Sequence, residues 1–174
     1  MTMQYDVKSA HIGNTGFLVP NIRTRLKQLT YSGNAGNAGT LVIFDTTLAP
    51  TTASYAKTGN VVTVTSTAHG LSNGATVGIG YASATGNSAT DGNYIISNAL
   101  ANTFTITDIN TIGTVGGGTT CYYVNSGNHW VTSFNTLTGA TGSQQIPIPG
   151  EGILINNGLY AQLTYISFVT IFYG

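Results

Sequence analysis

Short runs of alternating apolar and polar residues, each ended by Gly or Asn, constrain the fold of this chain more than any other feature. Alternation with a period of two is typical of half-buried β-strands, and Gly and Asn favour the tight turns between strands. Val61–Thr65 and Thr103–Thr107 are clear examples. No stretch has the periodicity of an amphipathic helix. The pattern therefore predicts an all-β protein.

About a dozen short strands at this spacing are typical of a sandwich or a barrel. Asn156-Asn157-Gly158 predicts a tight turn between two strands. The final strand, Ser167–Tyr173, is apolar on both faces, which indicates a strand buried on two sides rather than a free edge. The predicted strands are Asn21–Tyr31, Leu41–Asp45, Val61–Thr65, Ala75–Gly80, Tyr94–Ser97, Thr103–Thr107, Thr119–Asn125, His129–Asn135, Gln144–Ile148, Gly152–Ile155, Leu159–Tyr165 and Ser167–Tyr173.

The strands differ in composition along the chain. The middle is rich in Thr, Asn, Ala and Gly, whereas both flanks hold most of the bulky apolar residues and four of the five cations. This predicts an outer β-sandwich or jelly-roll-like domain built from residues 1–49 and 126–174, with a small β module inserted at residues 50–125. Two domains in series is the alternative, but the first stretch would then have too few strands to close a core.

Charged residues make up only 6% of the chain, against about 25% in ordinary soluble domains, and the net charge is zero. Self-repulsion is therefore weak, and we expect a homo-oligomer. Five Lys and Arg residues are too few for a nucleic-acid face. The apolar runs are too short to span a membrane, and the N-terminus has no signal-peptide core. With a single cysteine, Cys121, we expect no disulfide, metal site or cofactor.

Three motifs in the middle of the chain resemble a small β module found in structural proteins of tailed phages. They are Thr67-Ala-His-Gly-Leu-Ser-Asn-Gly-Ala-Thr-Val, Asp91-Gly-Asn-Tyr-Ile-Ile and Asn102-Thr-Phe-Thr-Ile, which follow the pattern HGLxxGxxV, DGxYxV and NTFTI over about 50 residues. Such modules resemble additions to capsid, tail and fibre proteins alike.

The flanks resemble small virion proteins of marine podophages of the cyanophage type. The similarity lies in RTRLKxLTYSG…AGTLVIFD, in Ile146-Pro-Ile-Pro-Gly-Glu-Gly-Ile and in Tyr165–Gly174. The resemblance implies a structural protein of the virion, made in the host cytoplasm and bound to the major capsid protein or to neighbouring virion subunits. The role it implies is capsid-surface or tail-associated. A decoration or cement protein on the capsid surface is the first hypothesis, and a trimer is the expected oligomer because cement proteins often sit at local three-fold positions. The resemblance carries over no catalytic residue.

Two other functions stay open. The chain could be a tail, neck or fibre component whose inserted module projects outward and contacts host-surface glycans. A secreted adhesin or glycan-hydrolase domain is the third hypothesis, although a hydrolase needs paired carboxylates and the five in this chain are widely scattered. The copy number in the particle would separate cement from tail, because cement is present in hundreds of copies.

The reactive side chains lack the partners that catalysis or metal binding needs, so we predict that the chain is not an enzyme. Six reactive residues are expected to have structural roles in turns, in strand packing or at the surface: His11, His69, Asp91, Asp108, Cys121 and Glu151. Glu151 could instead form an ion pair at an interface. The loops at Asp91 and Asp108 contain oxygen ligands of the calcium type, but without EF-hand spacing.

Two groups of residues are candidates for partner contacts. Arg23, Arg25 and Lys27 alternate with Ile22, Thr24 and Leu26, so the three cations share one face of a strand. That face is either ordinary solvent-exposed surface or a docking strip for an acidic subunit, which salt would weaken. His129 and Trp130 either pack within a strand or contact a glycan or an interface.

Overall fold

The computed structural model describes residues 7–34, 36–82, 87–125 and 127–174 of the chain. These residues form β-strands and no helix, which confirms the all-β prediction. The strands are β1 (Lys8–Ile12), β2 (Gly16–Val19), β3 (Thr24–Gly33), β4 (Thr40–Asp45), β5 (Thr51–Thr58), β6 (Val61–Thr65), β7 (Thr76–Tyr81), β8 (Gly92–Ile95), β9 (Thr103–Thr107), β10 (Thr114–Val124), β11 (His129–Asn135), β12 (Ser143–Pro147), β13 (Ile153–Ile155), β14 (Leu159–Thr164) and β15 (Ile166–Tyr173).

The chain divides into two compact units. Unit 1 combines Met1–Thr47 with Phe134–Gly174, and unit 2 is Leu48–Ser133. Unit 1 is therefore built from both ends of the sequence. The structure places the divisions after residues 47 and 133, whereas the composition of the strands put them after residues 49 and 125.

Two antiparallel sheets with β-sandwich or jelly-roll-like character account for the strands of unit 1. The first sheet has the order β1-β15-β3-β12, with β13 also paired to β3, and the second has the order β11-β4-β14-β2. Every residue of β4 is buried. Such continuous burial explains the unbroken apolar run Leu41–Phe44, because a strand covered on both faces does not alternate.

Strand β15 lies between β1 and β3, as the two-sided apolar pattern of the C-terminus predicts. Val169 and Ile171 on one face are fully buried. On the other face Phe168 is half-buried and its ring lies 5.5 Å from the ring of His11. β15 is thus an internal strand of its sheet.

The Asn156-Asn157-Gly158 turn joins two strands that do not form a hairpin. β13 pairs with β3, whereas β14 pairs with β2 and β4 in the other sheet. The buried carboxylate of Asp45 holds the turn, because it accepts hydrogen bonds from the three backbone amides at distances of 2.8, 2.7 and 3.2 Å. The turn prediction is correct, but the connection passes between sheets.

Unit 2 contains one six-stranded antiparallel sheet with the order β8-β7-β10-β5-β6-β9. A bridge between Ser97 and Thr105 links the two edges of this sheet, so that it curls into a nearly closed barrel. Its core includes the fully buried residues Val62, Val77 and Phe104. Unit 2 therefore has its own hydrophobic core. Burial of each such side chain contributes about 1.5–3 kcal/mol to the free energy of unfolding.

We expect unit 1 to fold without unit 2. The test joins Pro50 to Asn125 through a short Gly linker, which removes β5–β10 and with them the whole barrel sheet. Far-UV circular dichroism and NMR amide dispersion should show a folded β protein. A separate fragment, residues 48–133, tests unit 2 in the same way. An unfolded chain after the deletion would show that the middle stretch is not an independent insert.

Candidate docking site

The cations of unit 1 gather at one end of its first sheet. Lys8 of β1 lies opposite Tyr173, and Tyr173 lies opposite Leu26 of β3. Because neighbouring strands are about 4.8 Å apart, all the cations lie within a few strand widths. We call this set the basic end; its members are Lys8, Arg23, Arg25 and Lys27.

The predicted alternation around Arg23 is correct within the strand but not before it. β3 begins at Thr24, so Arg23 lies just before the strand and is exposed. Ile22, expected on the buried side, is 56% exposed because Asn21 has a φ of 50° and turns the chain before the strand begins. Thr24 and Leu26 are buried as expected.

A loop between β12 and β13 fixes two of the cations. The Lys27 Nζ atom donates to the Glu151 carbonyl oxygen at 2.8 Å, and Nη1 of Arg25 lies 3.4 Å from the Gly152 carbonyl oxygen. Gly152 has a φ of 81°, and a Cβ atom there would lie 2.5 Å from the Leu26 carbonyl oxygen. Only glycine allows the loop to approach β3 this closely. No local sequence pattern predicts these contacts, because they depend on the pairing of β13 with β3.

A shallow open pocket lies at the basic end. Its lining residues are Arg23, Thr24, Arg25, Leu154 and Gly174. Leu154 lies opposite Arg25 across the β3–β13 pair and is 37% exposed. The pocket therefore combines two arginine residues with an apolar side chain, a combination suited to an anionic side chain that carries an aliphatic stem.

His129 and Trp130 begin β11, a strand that starts in unit 2 and ends in unit 1. His129 is exposed, whereas Trp130 is half-buried. The Asn93 side chain forms a pair of hydrogen bonds with the Trp130 backbone, at 2.9 Å to its N–H and 3.0 Å to its carbonyl oxygen. A Cβ atom at Gly78 would lie 2.3 Å from the Trp130 nitrogen, so β7 and β11 approach closely here. The structure thus fixes Trp130 firmly and presents His129 at the surface.

Unit 2 contains a buried ion pair that the sequence patterns did not reveal. The Lys57 Nζ atom lies 3.6 Å from Oδ2 of Asp108, and both side chains are fully buried. Lys57 also donates to the Ile112 carbonyl oxygen at 3.0 Å, and Asp108 accepts from the amides of Thr90 and Asn110. One signal was available: Lys57 is the only Lys or Arg in the middle of the chain.

Polar contacts inside the module shape the loop that follows Asp108. Asn110 accepts a hydrogen bond from the Ile112 amide at 2.9 Å and donates to the Ser88 carbonyl oxygen at 3.1 Å. Ile109 and Ile112 are 82% and 69% exposed. The expected turn role of Asp108 is therefore only part of its function in the fold, because its carboxylate also anchors Lys57.

His69 joins two loops of the barrel. Its Nδ1 atom accepts from the Leu71 amide at 3.0 Å, and its Nε2 atom lies 3.2 Å from the Thr103 carbonyl oxygen. These partners place the proton on Nε2, because a carbonyl oxygen can only accept. The ring also packs edge-on against Phe104 at 5.2 Å. The arrangement is that of a structural histidine within a turn.

Burial raises the pKa of two further side chains in unit 2, Cys121 and Asp91. It raises the pKa of the Cys121 thiol to about 12, so the thiol is a buried apolar group rather than a nucleophile at neutral pH. Burial also raises the pKa of Asp91 above its ordinary value, against the opposing effect of hydrogen bonds from Ser133 and the Tyr81 amide. The Tyr81 amide lies 2.7 Å from Oδ1 of Asp91.

The raised pKa of Asp91 makes a prediction about stability and pH. Between its unfolded and folded pKa values the native state binds more protons than the unfolded state, so the free energy of unfolding falls as the pH rises through this window. We expect unit 2 to become more stable as the pH is lowered through the raised pKa of Asp91 toward the ordinary pKa of a carboxyl group. Replacement Asp91→Asn should remove this component.

Urea unfolding followed by the fluorescence of Trp130, the single tryptophan, measures the effect at pH 7, 5.5 and 4. Glu151→Gln in unit 1 is the control and should leave the pH dependence of the Trp130 transition unchanged. The same pH dependence in wild type and Asp91→Asn would contradict the assignment to Asp91.

Among the described residues no group of three or more His, Cys, Asp or Glu side chains is placed to hold a metal ion. No helix within those same ranges is long and apolar enough to cross a membrane. Comparison of the chain with protein-family models, with curated proteins and with solved structures found no match. The residues themselves therefore carry the functional argument.

Proposed function

We propose that this chain is a structural component of a bacteriophage particle, a decoration or cement protein on the capsid surface. One observation carries the proposal: charge is divided unequally between the two units. Four of the five Lys and Arg residues lie in unit 1 at the basic end, whereas the charged side chains of unit 2 are the buried pair Lys57 and Asp108 and the half-buried Asp91. Unit 1 can then dock electrostatically, and unit 2 presents a surface with few charged side chains.

This unequal distribution of charge suits a protein that functions within an assembly. An acidic patch on the major capsid protein or on a neighbouring virion subunit would complement the basic end, and the near-zero net charge allows copies to lie side by side. The resemblance of the middle motifs and of the flanks to phage structural proteins supports the same role.

Quantitative mass spectrometry of purified particles tests the proposal through the ratio of this chain to the major capsid protein. A cement protein is expected in hundreds of copies per particle. A ratio that corresponds to a few dozen copies or fewer would assign the chain to the tail or neck. Absence from washed particles would refute a structural role.

A tail, neck or fibre component that contacts host glycans is the second candidate. The observation that favours it is the exposed His129 beside a Trp130 whose backbone Asn93 holds in place. A ring beside a polar side chain suits the face and edge of a sugar. A glycan array probed with wild type and His129→Ala tests it: binding that is lost in the variant supports the candidate, and no binding by wild type rejects it.

Assembly of the isolated protein is a separate expectation. We propose a homo-oligomer, with a trimer as the first choice, because a surface with so few charges is typical of one that is covered by contacts. Light scattering at high protein concentration measures the mass directly. A clean monomer would contradict the oligomer and leave the particle role to the mass-spectrometry test.

A further inference from the structure

The three cations of the predicted docking strip, Arg23, Arg25 and Lys27, have different environments, and only two of them are placed to contact a partner at the pocket. Lys27 is bound to the Glu151 carbonyl oxygen and does not line the pocket. Arg23 and Arg25 do line it, on either side of Thr24. Arg23 lies just before β3 and Arg25 lies within it, so the two arginines border the same pocket.

Arg25 is already held in place before any partner arrives. Its backbone N–H donates to the Gly174 carbonyl oxygen at 3.1 Å, and its Nη1 atom contacts the carbonyl oxygens of Glu151 and Gly152 at 3.5 and 3.4 Å. A guanidinium has five N–H donors, so most of its donors stay open to a ligand. Fixing the side chain in advance lowers the entropic cost of binding.

The basic end has no side-chain carboxylate partner among the described residues. Asp45 is buried and accepts from the backbone amides at residues 156–158, and Glu151 meets the two cations through its backbone carbonyl rather than its carboxylate. No ion pair to Arg23 or Arg25 occurs within those residues. An acidic group from outside would therefore meet two arginines that form no ion pair with a side-chain carboxylate of the described residues.

We infer that the pocket between Arg23 and Arg25 receives the carboxylate of one Glu or Asp side chain from an acidic, aliphatic segment of a neighbouring virion protein. A planar carboxylate accepts paired hydrogen bonds from a guanidinium, and Leu154 offers an apolar contact to the stem of the ligand or to its neighbour. The inference rests on the proposed function, because it names the chemistry of the partner in the particle.

The experiment titrates the full chain with a short peptide of alternating glutamate and leucine, followed by NMR at the amides of Thr24, Arg25 and Leu154. We expect saturable shifts at these amides and none with the peptide in which glutamine replaces glutamate. Arg23→Gln should weaken binding by about tenfold or more, since it removes a charge-assisted contact. Lys8→Gln is the matched control, because it removes an equal charge from the basic end outside the pocket, and at 150 mM salt it should change affinity by less than about twofold.

Equal binding by wild type and Arg23→Gln would overturn the inference, as would equal binding of the glutamine peptide. Inorganic phosphate that shifts the same amides as strongly as the peptide would also overturn it, in favour of a general anion site. The outcomes are separable from the particle test. A chain that is abundant in particles but whose Arg23→Gln variant binds the peptide normally keeps its structural role and loses this pocket.

Discussion

Removal of the last six residues, Val169–Gly174, should unfold unit 1. These residues are the greater part of β15, which forms ladders with β1 on one side and β3 on the other. Val169 and Ile171 are fully buried. Loss of each large buried side chain costs about 2–5 kcal/mol, and the loss of two ladders adds unpaired backbone groups. The total approaches the whole stability of a domain, about 5–15 kcal/mol.

The measurement is solubility on expression, followed by circular dichroism and NMR of any soluble fraction. Two point variants in the same strand are matched controls. Ile171→Ala should destabilise unit 1 by about 2–5 kcal/mol. Thr170→Ala, next to it on the opposite face, removes one exposed hydrogen bond with His11 and should cost about 1 kcal/mol or less. A soluble truncated chain with an unchanged melting temperature would show that β15 is dispensable.

The C-terminal strand was predictable because its apolar residues occupy both faces without interruption. β5 was not, since Thr51–Thr58 contains one large apolar residue, Tyr55, among Thr, Ser and Ala. Its inward positions include Lys57, a residue type that rarely occupies a core. Only its pairing with β6 and β10 makes this segment a central strand of unit 2.

β1 and β2 were also missed. Lys8–Ile12 has no regular alternation, and Gly16–Val19 is only four residues long. β1 is an edge strand that depends on its ladder with β15, so the strand is set by a partner about 160 residues away in sequence. Local patterns cannot contain such information, whereas Val61–Thr65 and Thr103–Thr107 alternate strongly enough to give both strands their exact bounds.

Local sequence patterns likewise predicted only part of the candidate site. That Arg25 and Lys27 lie away from the buried Leu26 followed from alternation alone. Their different roles did not, because these depend on how the loop at Glu151 and Gly152 folds back over β3. Lys8 joins the basic end only through the order of strands in the sheet. The sequence therefore predicted which side of β3 carries Arg25 and Lys27, whereas the strand order and the loop between β12 and β13 determine their contacts.

The second large effect is expected at the buried pair in unit 2. Asp108→Ala leaves the Lys57 ammonium group buried with the Ile112 carbonyl oxygen as its remaining contact, and it also leaves the amides of Thr90 and Asn110 without their acceptor. Removal of one member of a buried ion pair costs about 3–5 kcal/mol. We therefore expect unit 2 to lose much of its stability, with the loss measured by urea unfolding through Trp130 fluorescence.

Lys57→Met should cost less than Asp108→Ala. Asp108 would keep the hydrogen bonds from the Thr90 and Asn110 amides, and the methionine side chain fills a similar volume. Asp108→Asn keeps one side-chain oxygen as an acceptor but removes the charge, so it should fall between the two. This order would not arise if the pair contributed only through the volume of its side chains.

The double variant Lys57→Met with Asp108→Asn isolates the interaction itself. Both charges are then gone, and the remaining amide can still accept from the loop backbone. Replacing both members of a buried ion pair often leaves the stability unchanged, whereas removing only one member destabilises the fold. We expect the double variant to be more stable than the sum of the single losses by about 1–3 kcal/mol. Additive losses would mean that Lys57 and Asp108 stabilise unit 2 independently, each through its own backbone contacts at the 108–112 loop.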